Sequence, residues 1–83
     1  MTSVVTQTNL EERAISFIEK LLKISNPIEV KIEEPLVILY YQNWDSSKEQ
    51  TVEHYDDKDY FIIIRKQNKK IRLVEIIGTS QIP

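Results

Sequence analysis

The 83-residue sequence has no cysteine, one glycine, one histidine, one tryptophan and three prolines. Without cysteine there is no disulfide to staple a small fold and no thiolate to hold zinc. No glycine-rich phosphate loop and no Gly-x-Ser-x-Gly elbow occurs. The single histidine, His54, falls in a polar stretch, so Ser46 or Ser47 with His54 and Asp56 would make a triad only by coincidence of composition. These absences argue against an enzyme, and no cofactor or metal is expected. Neither sign of charge dominates: 11 Lys and Arg stand against 13 Asp and Glu, for a net charge of −2. No global basic field therefore draws nucleic acid to the chain. No run approaches the roughly 20 apolar residues of a membrane span. The opening MTSVVTQTN lacks the basic and apolar regions of a signal peptide. The expectation is a cytoplasmic protein with no membrane association.

What the chain has in quantity is isoleucine, 13 residues of it. Tyr60-Phe61-Ile62-Ile63-Ile64 is aromatic or β-branched throughout and suits a pleated sheet. It shows no polar alternation, as expected of a strand buried on both faces. Ile71 to Ile77 forms a second strand, with Ile71, Leu73, Glu75 and Ile77 on one face and Arg72, Val74 and Ile76 on the other. Between them runs Arg65-Lys66-Gln67-Asn68-Lys69-Lys70, a basic turn in which Asn68 tolerates positive φ. Charges on either side of the sticky run (Asp57, Lys58 and Asp59 before it, Arg65 and Lys66 after) suit gatekeepers against aggregation.

Thr8 to Ser25 has helical periodicity. Thr8 with Glu11 fits a capping box, and Glu11, Glu12, Lys20 and Lys23 suit the helix dipole. Leu10, Ala14, Phe17, Ile18 and Leu21 make its apolar stripe, widened by Ile15, Leu22 and Ile24. Asn26 and Pro27 are the stop signals. Ile28 to Glu33 alternates, with Ile28, Val30 and Ile32 inward. Leu36 to Tyr41 is again apolar on both faces. Asp45 to Glu49 reads as a solvated loop, and residues 50–55 as either a short strand or an excursion between strands. Gly78 ends the last strand.

The expected fold is α+β: an N-terminal helix packed on one face of a four- to five-stranded antiparallel sheet, in the order α-β-β-(β)-β-β. Residues 8–78 form one domain, between a loose arm at 1–7 and a tail at 79–83. A chain this short buries only about 60–65% of its unfolded surface, so its stability margin is thin. One helix covers one sheet face, while three strands carry apolar residues on both. The second face needs cover, and the first expectation is a second copy of the chain in a homodimer. Cover by the loop at 44–55 or by the N-terminal arm comes next, and a larger protein partner is the remaining alternative. The candidate interface face is Leu39, Tyr41, Phe61, Ile63, Val74 and Ile76, their alternates forming the other face. The runner-up function is nucleic-acid binding by Arg65, Lys66, Lys69, Lys70 and Arg72 around the basic turn, helped by sheet aromatics. Glu53, His54, Asp56, Asp57 and Asp59 crowd one segment, but their spacing matches no calcium loop, and an acidic solvated turn is the simpler reading. The reading as a whole is a non-enzymatic interaction or regulatory module.

Overall fold

The computed structural model describes residues 6–24, 26–57 and 60–78, with side chains from Leu10 onward. Most of the expected arm, the tail at 79–83, Ser25 and two of the gatekeepers, Lys58 and Asp59, lie outside the described residues. Among the described residues one helix, α1 (Thr6–Leu22), precedes five strands: β1 (Glu29–Glu33), β2 (Leu36–Tyr40), β3 (Thr51–Asp56), β4 (Phe61–Gln67) and β5 (Lys70–Ile77). The fold is α+β, and all five strands pair antiparallel in the order β1-β2-β5-β4-β3.

The helix starts two residues before Thr8, which therefore lies inside it rather than at the cap. Its first turn accordingly holds no acidic residue, and of the two lysines only Lys20 falls in its last turn. The stop also comes earlier than Asn26 and Pro27. Lys23 turns left-handed (φ 61°) and its N–H closes on the Glu19 carbonyl at 2.9 Å. A left-handed residue cannot continue the helix, and Asn26, at φ 61°, then redirects the chain into β1.

The apolar stripe behaves as its periodicity requires. Leu10, Ala14 and Ile18 are buried against the sheet, flanked by half-buried Ile15, Phe17, Leu21 and Leu22. Phe17 meets Tyr60 edge to face, with ring centroids 5.1 Å apart, which ties the helix to the start of β4. Beneath α1 lie Val37 and Leu39 of β2, Val74 and Ile76 of β5, and Ile62 and Ile64 of β4. Register explains the set: Val37 and Ile62 both pair with Ile76, and Leu39 and Ile64 both pair with Val74. Directly opposed residues share a face. In β1, Val30 and Ile32 are half-buried, but Ile28 is 67% exposed and lies ahead of the strand, contrary to the inward position its alternation implied.

Two features depart from a simple meander. Residues 51–56 form a true strand, exposed at every position, that covers the outer edge of β4. It does not neighbour β2: β5 inserts between β2 and β4, so the 41–50 connection spans two strands. The β4–β5 hairpin is also tighter than six residues. Only Asn68 and Lys69 lie outside the strands, both left-handed (φ 56° and 66°), the signature of a two-residue type I′ turn. Gly78, at φ 99°, ends β5 and donates to the Pro35 carbonyl at 2.9 Å.

Candidate interaction face and basic groove

Among the described residues no helix lies on the side of the sheet away from α1. It presents Leu36, Ile38 and Tyr40 from β2, Phe61 and Ile63 from β4, and Leu73 and Ile77 from β5, with Val52 and His54 at the β3 edge. His54 stacks on Phe61, ring centroids 5.6 Å apart. Two charges sit within this apolar field and satisfy each other: Arg65 Nε donates to Glu75 Oε1 at 3.2 Å, and a second Arg65 nitrogen donates to Gln50 Oε1 at 3.0 Å.

One end of this face is closed. Gln67, the only buried polar side chain among the described residues, accepts from the Asp45 N–H at 3.1 Å and donates to the carbonyls of Asp45 and Lys48. Asp45 in turn accepts from the Ser47 N–H (3.0 Å) and hydroxyl (2.7 Å), and these bonds hold its carboxyl below the usual carboxylate range. The loop is thereby pinned over the hairpin end of the face, where Leu73 is only 6% exposed. Elsewhere no described segment covers the face. Leu36, Ile38, Tyr40, Phe61 and Ile63 are half-buried, and Ile77 and Val52 are exposed.

The six residues expected to form one interface do not share a face. Leu39, Val74 and Ile76 are fully buried under the helix and Tyr41 nearly so, whereas Phe61 and Ile63 point to the open side. β2, and β5 from Arg72 onward, alternate as expected, but Ile71 leaves the face expected for it, and β4 pairs with both strands one residue away from the expected register. The true companions of Leu39 and Val74 are Ile62 and Ile64, and those of Phe61 and Ile63 are Leu36, Ile38 and Tyr40. Such a slip exchanges every side chain of a strand between faces.

The five cations of the hairpin also divide. Arg65 faces the open side. Lys66 points to the helix side and pairs with Glu53 at 3.0 Å. Lys69 and Lys70 are exposed at the turn, and Arg72 donates to the Gln42 carbonyl at 2.9 Å. The register between β4 and β5 shifts after Arg65, which pairs with Leu73, while Lys66 pairs with Ile71. Arg72 is the extra residue of a bulge, and Ile71 consequently packs toward the helix-side core rather than with Leu73. Beside the bulge lies an open groove of about 640 Å³ whose lining includes Lys66, Lys69, Lys70 and Arg72, over Ile24, Tyr41 and Ile71.

Tyr41, 7% exposed, lies at the inner wall of this groove. Burial, reinforced by the nearby Glu19 carboxylate, pushes its phenol up from 10.0 to about 12. The folded state thus keeps a proton that the unfolded chain releases, and rising pH favours unfolding across that interval. The Tyr41 contribution to stability should be intact below pH 10.0 and lost toward about pH 12. In Tyr41→Phe, urea midpoints followed across this window should lose that component of the alkaline decline. An identical decline in both proteins would contradict the assignment.

In the acidic segment, strand alternation separates Glu53 from His54 and Asp56, and Asp59 lies outside the described residues. Among the described residues no three His, Asp or Glu side chains gather to hold a metal ion, and no helix is long and apolar enough to cross a membrane. Comparison with family models, curated proteins and solved structures finds no match for this chain.

Proposed function

We propose that the protein is a non-enzymatic interaction module whose open sheet face receives a second copy of the same chain. The observation that carries this reading is the field of half-buried Leu36, Ile38, Tyr40, Phe61 and Ile63, which no segment among the described residues covers. Charge favours a second copy as the occupant. The cation and anion at the heart of the face, Arg65 and Glu75, are already paired. That centre offers no net sign to select an oppositely charged partner, and two copies meeting there bring no unpaired like charges together.

Size sets the strength of the contact. Five strands about 4.8 Å apart, each of five or so residues at about 3.3 Å, outline a whole sheet side of about 400 Å², to which β1 adds only Glu29, Lys31 and Glu33. That matches the largest patches single chains expose, about 300–600 Å². Two such faces bury up to about 800 Å², below the roughly 1,200–2,000 Å² of stable specific interfaces and in the range of weak, transient ones. Dimerisation should therefore depend on concentration, with midpoints between about 1 μM and about 1 mM. Light scattering on a size-exclusion column over that range should show the mass rising from one chain to two. A constant single-chain mass would point instead to a larger protein as the occupant and would overturn the homodimer.

A further inference from the structure

The groove beside the β5 bulge lies on the helix side of the sheet, and what it does is independent of the open face. Alternation keeps Arg72 on the helix side with Val74 and Ile76. The extra residue brings Ile71 to the same side, opposite Lys66, so two consecutive side chains of β5 converge with one of β4. The left-handed turn then adds Lys69 and Lys70 at the rim. Among the described residues four cations and no carboxylate line this space, the Glu19 carboxylate standing behind them near Tyr41. Glu53 offsets Lys66, but among the described residues Lys69, Lys70 and Arg72 make no salt bridge. Positive charges gathered in one concavity repel, and an anion seated among them relieves that repulsion. The walls differ in kind: Ile24 and Ile71 supply apolar surface next to the charged rim.

We propose that this groove binds a small organic molecule carrying two or more phosphate groups, with its phosphates between Lys69, Lys70 and Arg72 and its body against Ile24 and Ile71. A volume of about 640 Å³ falls within the about 300–1,000 Å³ of small-molecule sites. Three uncompensated cations match the charge of a diphosphate or triphosphate. A nucleic-acid strand fits less well. The one aromatic ring in the lining, Tyr41, is buried and gives no platform for base stacking. The chain as a whole is also acidic, with a net charge of −2.

The test is a nitrogen-15 NMR titration with ATP as the probe, with inorganic tripolyphosphate and a short oligothymidylate as parallel arms. ATP should move the amides of Asn26, Tyr41 and residues 69–72 and leave those of β1 in place. Lys69→Asn with Lys70→Gln removes two exposed charges while keeping a side chain suited to the left-handed turn. This pair should weaken ATP binding at least tenfold with the circular dichroism spectrum unchanged, and Lys31→Gln on β1 should have no effect. Tripolyphosphate should bind at least tenfold more weakly than ATP, since it has nothing to set against the apolar wall. Absent or scattered shifts, or an affinity unaltered by the paired substitution, would overturn the site. Tripolyphosphate binding as tightly as ATP would overturn the role of Ile24 and Ile71. Oligothymidylate binding more tightly than ATP through the same amides would identify a nucleic-acid strand and overturn the small-molecule assignment.

Discussion

Ile62→Ala should destabilise the protein by about 2–5 kcal/mol, the range for truncating a fully buried isoleucine, while Ile63→Lys one residue along should leave the fold largely intact and abolish self-association. The two side chains leave the same strand in opposite directions. Ile62 has no exposed surface and sits under the helix opposite Ile76. Its truncation leaves a cavity in a core of few large side chains. Total stability for a domain of this size is about 4–12 kcal/mol, so the loss is a large fraction of the margin. The melting temperature should fall by roughly 10–30 °C. Ile63, by contrast, is half-buried on the open face and pairs across the strands with Glu75. A lysine there extends into solvent beside a carboxylate, and the stability cost should stay near about 1 kcal/mol, mostly lost strand preference. In an assembled dimer the same ammonium would be buried against apolar side chains. Urea denaturation and size-exclusion mass, measured on both variants, separate the two effects. If Ile63→Lys unfolds the protein and Ile62→Ala does not, the face assignment is reversed.

The second large effect is expected at Gln67. Its side-chain amide is held by one N–H and two carbonyls of the loop, and no buried side-chain nitrogen or oxygen among the described residues lacks a partner. Gln67→Ala removes all three bonds at once. Each orphaned group costs about 1–3 kcal/mol if it stays buried. The loop can escape most of that cost by lifting into water, so the net loss should be about 1–3 kcal/mol, with fast hydrogen exchange at the Asp45 amide. Gln67→Glu should do no better: a carboxylate still accepts from the Asp45 N–H but faces two carbonyls with no proton to give. Leu73 would then lose its cover and the open face would grow, which should strengthen self-association even as the monomer weakens. An Asp45 amide that exchanges at the wild-type rate in both variants would contradict the anchoring role.

The contrast between these residues marks how far the sequence could be read. The helix, the alternating β1 strand and the apolar runs at 36–41, 60–64 and 71–77 were legible because period and residue type agree along each segment. Faces were harder. Leu36 to Tyr41 and Tyr60 to Ile64 are apolar at every position, and a run without alternation holds no record of which side is inward. Only the register reveals it, and the register follows from the turn. Reading 65–70 as the turn left the pairing of Ile62 against Ile63 undetermined. The type I′ turn at Asn68-Lys69 fixes it. The bulge at Arg72 has no glycine or proline to announce it. Strand order was equally hidden, since nothing local tells the chain to place β5 between β2 and β4. Gln67 carries the weakest signal of its own: among five cations it resembles one more polar turn residue, and its burial depends on a loop about 20 residues away.

The proposal that the open face seats a second copy is tested most directly in a sample mixing isotope-labelled and unlabelled chains at millimolar concentration. Isotope-filtered NOE spectra report only contacts between protomers. Such contacts should join Leu36, Ile38 and Tyr40 of one chain to Phe61, Ile63 and their symmetry equivalents on the other, and vanish in Ile63→Lys. Contacts running instead through the exposed β3 edge, or none in a sample where light scattering finds dimers, would contradict it.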